Sequence, residues 1–394
     1  MKPVIRSLTL KGFRSFESER VEFFNPTFLV GRNAVGKSNL VDALAFLQEA
    51  MGHPLDEVIR RRGGISSLIH RSAPVSGQSF GLRVELAGGG IQDGFYSIEI
   101  QANEDHSFEV THEQCKITTR HGHHWFSRDH RNFSSNLEGL QPELDPQFLL
   151  LPRLGLHSRF QLAFKLLYSM TVFKARTDLM RRPQKAERSE RLLADWSNAA
   201  NVLRFLEEKF PDTVERISEI LSVVTPEPMR VRSHFQGGIV SLEFEQQHDG
   251  GAKDNFDATE ISDGTLQVLG LLLAVFQRPL PVRTLMIFEE PEAFLYSGIL
   301  TVATDLLNAA SDENQVLVTT HSADLLDAKW ITDRHIRILF WENSSSRVSE
   351  VGKASRETLR EGLMQAGELL RSNVLDSPPV RRIESDTHLF EALA

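Results

Sequence analysis

Three well-separated stretches of this 394-residue chain carry side chains that could do chemistry on a phosphate. The first runs Gly31-Arg32-Asn33-Ala34-Val35-Gly36-Lys37-Ser38-Asn39 and fits the spacing G-x-x-x-x-G-K-[ST]. Glycines at those places let the backbone turn tightly and aim successive N–H groups inward, where an anion can sit. Lys37 is spaced to reach the β- and γ-phosphates of a nucleotide, and the Ser38 hydroxyl to ligate Mg²⁺. An apolar run precedes the turn, and Leu40, Leu44 and Leu47 follow it at helical spacing. The expected local structure is therefore strand–turn–helix, with the positive helix N-terminus adding to the anion site.

The second stretch, Leu285-Met286-Ile287-Phe288-Glu289-Glu290-Pro291-Glu292, is an apolar strand pattern that runs out into carboxylates. At the carboxyl edge of a parallel sheet, Glu289 is placed to hold the metal side of the site. Glu290 then becomes the base or water-orienting carboxylate. The third, Val316 to Ser322, repeats the format and ends at His321, whose imidazole could donate to a γ-phosphate oxygen or hold the attacking water. A further piece, Ile261-Ser262-Asp263-Gly264-Thr265, places Ser262 as an N-cap before Leu266, Leu269 and Leu273. A helix N-terminus carrying a free hydroxyl is also an anion site, and the spacing does not say whose anion it faces.

The elements that must position these groups are legible in outline. Strands are expected near residues 3–10 and 20–30. From Phe80 to about Trp125 the alternation of Phe80, Leu82, Val84 and Leu86 with Gly81, Arg83 and Glu85 predicts half-buried strands of an antiparallel sheet. From Phe160 to Val224 the pattern is helical, with one apolar cluster at Leu192, Leu193 and Trp196 and another at Val202, Leu203, Leu206 and Phe210. The continuous apolar character of Leu285–Phe288 and Val316–Thr319 predicts parallel strands covered on both faces.

Composition narrows the class. A hydrophobic fraction of 41% supports a sizeable core, and a formal charge of -9 argues against general polyanion binding. Local basic runs at Arg60, Arg61, Arg62 and Arg71, and at Arg181, Arg182, Lys185, Arg188 and Arg191, leave nucleic-acid contact open. The single cysteine, Cys115, excludes an internal disulfide or a multi-cysteine zinc site. His121, His123, His124 and His130 lack regular acidic or cysteine partners in sequence. No apolar stretch reaches secretion-signal or membrane-spanning length, so a cytoplasmic protein without membrane association is expected.

Together, in this order, the motifs resemble the ABC-type ATPase heads of the RecF/SMC/OLD group. More narrowly, the chain is similar to bacterial RecF-like, AAA-type ATPases of defence and toxin-like operons. "LTLKGFRSFES" resembles the family's N-terminal strand and loop, with Arg14 at its basic, phosphate-facing position. "GRNAVGKSNLVDAL" resembles its Walker A, "ISDGTLQ" its signature, "MIFEEPE" its Walker B and "TTHS" its switch histidine. The resemblance implies an α/β fold: a P-loop ABC-type head with a mixed, largely parallel core sheet, an antiparallel β subdomain and a helical insertion. One split ATPase domain is expected, with an N-terminal lobe over residues 1–155, the insertion over 156–230 and a C-terminal lobe over 231–394.

The resemblance further implies ATP and Mg²⁺ as cofactors and a homodimer or higher homo-oligomer. In such a dimer, Ser262, Asp263 and Gly264 of one subunit close on the Walker A turn of the other. Glu289 stands where many relatives have Asp, and Leu295-Tyr296-Ser297 where many have Leu-His-Pro. The Q-loop glutamine has no clear counterpart, Gln48 being the nearest candidate. Only 73 residues follow His321, too few for the Toprim nuclease domain of the OLD branch. The implied activity is ATP hydrolysis driving a switch that controls a separately encoded effector, nuclease or toxin-like, in anti-phage defence. A RecF-like DNA-repair or DNA-end-binding ATPase and a nucleotide-holding scaffold are the alternatives.

Overall fold

Two hydrophobic patterns sort the strands into different layers. The computed structural model describes residues 4–71, 78–248, 252–277, 285–293, 295, 297–375 and 388–393. In chain order its strands are β1 (Ile5–Phe13), β2 (Phe16–Glu22), β3 (Thr27–Val30), β4 (Ser79–Gly88), β5 (Ile91–Ala102), β6 (Phe108–Thr119), β7 (Gly122–Asp129) and β8 (Asn132–Ser135). They continue with β9 (Thr171–Phe173), β10 (Gln184–Lys185), β11 (Met229–Gln236), β12 (Ile239–Gln247), β13 (Lys253–Asp257), β14 (Leu285–Glu289), β15 (Gln315–Thr320), β16 (Ile336–Glu342) and β17 (Ser345–Ser349).

The central sheet has the order β17-β16-β3-β15-β14-β9. All its pairings are parallel except β16 with β17. Its strands are apolar throughout because both faces are covered. Leu29, Leu285, Ile287, Leu317 and Leu339 point into one core, shared with the Lys37–Gly52 helix and with a second, antiparallel sheet. Phe28, Met286, Phe288, Val316 and Val318 point into a second core, built with the helices Ala199–Lys209, Pro211–Val224, Asp263–Phe276 and Ser297–Glu313. Burying a side chain of this size is worth about 1.5–3 kcal/mol, so the two cores pin the sheet from both sides.

An antiparallel sheet of order β2-β1-β4-β5-β6-β7-β8 lies on the first core. β4 is not half-exposed as its alternation predicts. Gly81 and Arg83, expected on the open face, are buried. Residues 388–393 supply the cover: Arg83 NH1 donates to Leu389 O (3.1 Å), and Gln114 and Glu391 exchange hydrogen bonds of 3.2 and 3.0 Å. A Cβ added at Gly81 would lie 2.1 Å from Leu389 Cδ1.

The span expected to be helical, 160–224, holds helices but also two strands. β9 adds to the edge of the central sheet, and β10 pairs with β12 in a smaller antiparallel sheet with β11 and β13. The Leu192–Trp196 stretch is not helical. Leu192 and Trp196 are buried, while Leu193 is 52% exposed and leaves the expected cluster. Trp196 takes a left-handed φ of +63° and lays its ring over Gly270 in the Asp263–Phe276 helix. A Cβ at Gly270 would meet Trp196 Cε3 at 2.1 Å. Gly270→Ala therefore sets a helix-propensity gain of about 1 kcal/mol against an overpacking cost that exceeds it. The expected result is a net loss of roughly 1–2 kcal/mol, seen as a lower urea midpoint at unchanged m-value.

Candidate functional site

The phosphate-type turn sits between two strands that leave it no room for side chains. Gly31 follows β3 and packs under β16, where a Cβ would lie 2.4 Å from Leu339 O. Gly36 adopts φ +106°, ψ 8°, and a Cβ there would lie 2.2 Å from Ser346 Oγ. Ala34 is also left-handed, at φ +65°. Arg32, Asn33 and Ala34 are exposed and Val35 is buried, which anchors the turn. The Lys37–Gly52 helix starts with Gly36 at its N-cap and no side-chain cap, so its first N–H groups remain available to an anion.

Lys37 is only 6% exposed and folds back over the turn. Its Nζ donates to Gly31 O (2.7 Å) and Arg32 O (3.0 Å). Burial lowers the Lys37 ammonium below its ordinary range, while Glu290 and Glu292 oppose that shift. Asn39 Nδ2 donates to Ser15 Oγ (2.8 Å), which also accepts from Ser346 Oγ (2.7 Å). This stitches the loop containing Arg14 to the turn. Arg14 itself has φ +49°, and its Nε donates to Asp42 Oδ2 at 2.7 Å, one helical turn past Ser38.

At the ends of β14 and β15 the carboxylates and the imidazole come together beside Lys37. Burial raises the Glu289 carboxyl above its usual range; Lys174 pulls it down, Asp42 and Glu290 push it up, and a hydrogen bond from Ser38 lowers it. Ser38 and Glu289, which are 251 positions apart in sequence, are thus neighbours at the helix start. A carboxyl held up by burial, with Asp42 and Glu290 adding to it, is one that a divalent cation would ionise fully. Ser38, Glu289 and nearby Asp42 offer the hard oxygen donors that suit Mg²⁺.

Glu290 leaves β14 with a left-handed φ of +44°, fixed by its N–H donating to Thr319 O (3.0 Å) and Thr319 Oγ1 (3.1 Å). That conformation costs a non-glycine residue about 1–3 kcal/mol, and such strain clusters at working sites. His321 Nδ1 lies 3.5 Å from Glu290 Oε1 and 3.7 Å from Glu292 Oε1. Glu292 braces the two strand ends: its Oε1 accepts from Thr320 Oγ1 (2.6 Å) and His321 N (3.1 Å). Its Oε2 is buried with no hydrogen-bond partner.

The signature-like turn lies elsewhere. Ser262 is exposed, caps Thr265 N at 3.2 Å and shares a 2.9 Å contact with Thr265 Oγ1. Asp263 Oδ1 accepts from Thr177 Oγ1 and Arg181 NH1, both at 2.7 Å, and Arg181 NH2 donates to Ile261 O (2.7 Å). These hydrogen bonds depress the Asp263 carboxyl. None of these partners belongs to the Gly31–Asn39 turn. Gly264 is half-buried in the first turn of the same helix.

Three contributors escaped the sequence reading. Lys174 follows β9, which pairs with β14 so that Phe173 faces Phe288; Lys174 therefore comes next to Glu289. A three-residue strand is too short to stand out by periodicity. Arg181 stands in the sequence only within a basic run, and no sequence signal singles out Asp42. The basic runs are largely ion-paired: Arg62 with Asp42 and Glu49, Arg61 with Glu57, Arg181 with Asp263, Arg182 with Asp178 and Arg188 with Glu190. Gln48 Nε2 reaches Tyr168 O at 3.4 Å. Phe294 and Tyr296 lie outside the described residues, and so does the Tyr296 departure. Among the described residues no helix is long and apolar enough to cross a membrane.

A family model described as "AAA domain, putative AbiEii toxin, Type IV TA system" matches residues 27–327. Among solved structures, an Smc head bound to the C-winged helix domain of ScpA aligns over 90% of this chain and 100% of its own, with TM-score 0.55 and 19% identity. An Smc head with an extended coiled coil, bound to the C-terminal domain of ScpA derived from Pyrococcus furiosus, aligns over 92% and 99%, with TM-score 0.56 and 16% identity. Two curated relatives, the chromosome partition proteins Smc of Mycolicibacterium paratuberculosis and Mycobacterium leprae, are each 52% identical over 50 residues. That match takes in 12% of this chain and only 4% of each relative's length. The fold is that of an ABC-type, Smc-like ATPase head.

Proposed function

The chain belongs to the AAA-domain family described as putative AbiEii toxin, Type IV TA system, and from that premise we propose an ATP-hydrolysing switch that works as a pair of heads. Membership supports a nucleotide-binding ATPase; the individual roles are our reading. The observation that carries it is the meeting of Lys37, Ser38, Glu289, Glu290 and His321 at adjacent strand ends. Gly31 to Asn39 cradle the triphosphate, with Lys37 leaving its own loop carbonyls for the phosphates. Ser38 and Glu289 hold Mg²⁺, which when bound neutralises the phosphate charge. Glu290 orients the attacking water, and His321 donates to the γ-phosphate side. Arg14 adds positive charge at the rim.

Ser262, Asp263 and Gly264 have an exposed N-terminal turn whose bonds do not run to their own phosphate cradle. That supports a composite site in which they cap the nucleotide of a second copy. Hydrolysis then releases the pair and passes the change to an effector encoded separately, nuclease or toxin-like, in anti-phage defence. The test is light scattering with ATP, ADP and no nucleotide, run beside phosphate release. ATP-dependent doubling of mass with slow release supports the switch; an unchanged mass in every state removes it.

A second reading, a nucleotide-holding scaffold, draws on the longer Glu289 at the metal position with a lysine beside it. Stoichiometric ATP binding without phosphate release would select it. DNA-end binding draws less support from basic runs that are mostly paired, and an ATP-strengthened, salt-dependent mobility shift would restore it. Lys174 gives a separate prediction. As a cation beside Glu289 it competes with Mg²⁺, so Lys174→Met is expected to lower the Mg²⁺ concentration for half-maximal turnover by about three- to tenfold. An unchanged Mg²⁺ requirement would uncouple Lys174 from the metal.

A further inference from the structure

Two imidazoles and two carboxylates meet on the antiparallel sheet, away from the phosphate cradle. The register makes this happen. Glu99 of β5 is the cross-strand partner of His112 of β6, and His112 is the partner of Asp129 of β7. Directly opposed residues on neighbouring strands share a face, so the three form one row. His112 Nδ1 lies 2.9 Å from Glu99 Oε2, and His112 Nε2 lies 3.0 Å from Asp129 Oδ1. His130 closes the group from the following turn. It is left-handed at φ +49°, and its N–H donates to Thr111 O at 2.6 Å, which folds the turn back over β6. Its ring centroid is 5.4 Å from that of His112, and its Nδ1 is 3.8 Å from Asp129 Oδ1.

This packing has an electrostatic problem that one ion would solve. A neutral imidazole has one donor and one acceptor nitrogen, yet His112 has a carboxylate against each. One carboxylate must then face a lone pair. His112 Nδ1 is moreover buried without an aligned hydrogen bond, although Glu99 is near. A cation between His112, Asp129 and His130 uses all three: one nitrogen of each imidazole and one Asp129 oxygen lie within 4.8 Å of one another. A metal-binding imidazole keeps its proton on the other nitrogen and donates a hydrogen bond from it to a carboxylate; Glu99 Oε2, 2.9 Å from Nδ1 though not aligned with it, is within reach of that role. Ser79 Oγ donates to Glu99 Oε1 at 3.1 Å and so holds it there.

We propose that His112, Asp129 and His130 bind one borderline divalent transition-metal cation of the Zn²⁺ class, with Glu99 orienting His112. Two imidazoles with one carboxylate select this class over Mg²⁺ and Ca²⁺, which prefer all-oxygen sites. Three protein ligands leave a position for water. A cavity of about 310 Å³, lined in part by Thr111, Arg128, His130 and Asn132, lies alongside. The ring of Phe390 sits 5.1 Å from that of His112, so the ion also meets the segment that covers β4. The grouping differs from the His121, His123, His124 and His130 set read along the chain: His130 is drawn to β6, while His121 is held by Arg120 Nε at 2.9 Å.

The test uses the full chain, stripped with chelator and kept in Mg²⁺ buffer. Zn²⁺ is titrated against a chromophoric chelator, and Co²⁺ is followed by visible absorption. One ion per chain is expected. His112→Gln and His130→Gln should each weaken binding about tenfold or more, whereas Lys37→Ala and His123→Gln should leave it unchanged. Asp129→Asn, at a 66% exposed side chain, gives the same reading if a histidine variant folds poorly. Absence of saturable Zn²⁺ uptake, or uptake lost only with His123→Gln, overturns the proposal.

Discussion

Glu290→Gln is expected to cut phosphate release by about 10²–10⁴-fold while ATP still binds. The substitution keeps the size of the side chain and the backbone bond to Thr319, so the left-handed exit from β14 survives. What it removes is the negative charge that faces His321 at 3.5 Å and supports the Lys37 ammonium. A neutral amide can still touch a water but cannot accept its proton. With hydrolysis blocked and the cradle intact, the nucleotide persists and the paired form should accumulate. The measurement is phosphate release together with mass by light scattering, with ATP and with ADP. A variant that hydrolyses ATP within threefold of the native rate would take Glu290 out of the chemistry. One that loses turnover but stays monomeric with ATP would keep the carboxylate and remove the shared site.

The second large effect is expected from Lys37. Lys37→Ala should weaken ATP binding by about 100-fold or more, since a charge-assisted hydrogen bond is worth roughly 1.5–3 kcal/mol and Lys37 has reach to two phosphates. The same ammonium bridges Gly31 O and Arg32 O, so the alanine variant also loses a strut of the turn. Lys37→Met separates the two effects by retaining the aliphatic stem in a site that is nearly closed to water. Calorimetry with ATP·Mg²⁺ reads the affinity and urea unfolding reads the fold. If Lys37→Met binds ATP within threefold of the native chain and is equally stable, the cradle is not where the nucleotide sits.

The parts of the site that sequence made legible are those that local backbone chemistry dictates. A glycine that must lie under Leu339 O, a second at φ +106° and a lysine opening a helix are requirements of the turn itself, and they appear at fixed spacing. Apolar runs such as Leu285–Phe288 announced strands buried on both faces because both faces need apolar side chains. Three of the motifs, ending in Ser38, Glu290 and His321, leave the ends of β3, β14 and β15, adjacent parallel strands of the central sheet, and the fold class followed from the family resemblance that the set of motifs carries.

Choice of partner was decided only in three dimensions. The strand expected near residues 20–30 divides between two sheets: β2 pairs with β1 in the antiparallel sheet, while β3 joins the central one. The alternation of β4 predicted an open face, but a segment some 300 residues later lies across it, and nothing near Arg83 signals Leu389 or Glu391. Lys174 reaches Glu289 because a three-residue strand finds the edge of the central sheet, and His130 leaves its neighbouring histidines because a left-handed turn folds it onto β6. Side-chain periodicity and turn geometry act over a few residues and are written in the chain. Which buried face meets which is settled by the summed packing of distant segments, and that sum exists only once they have come together.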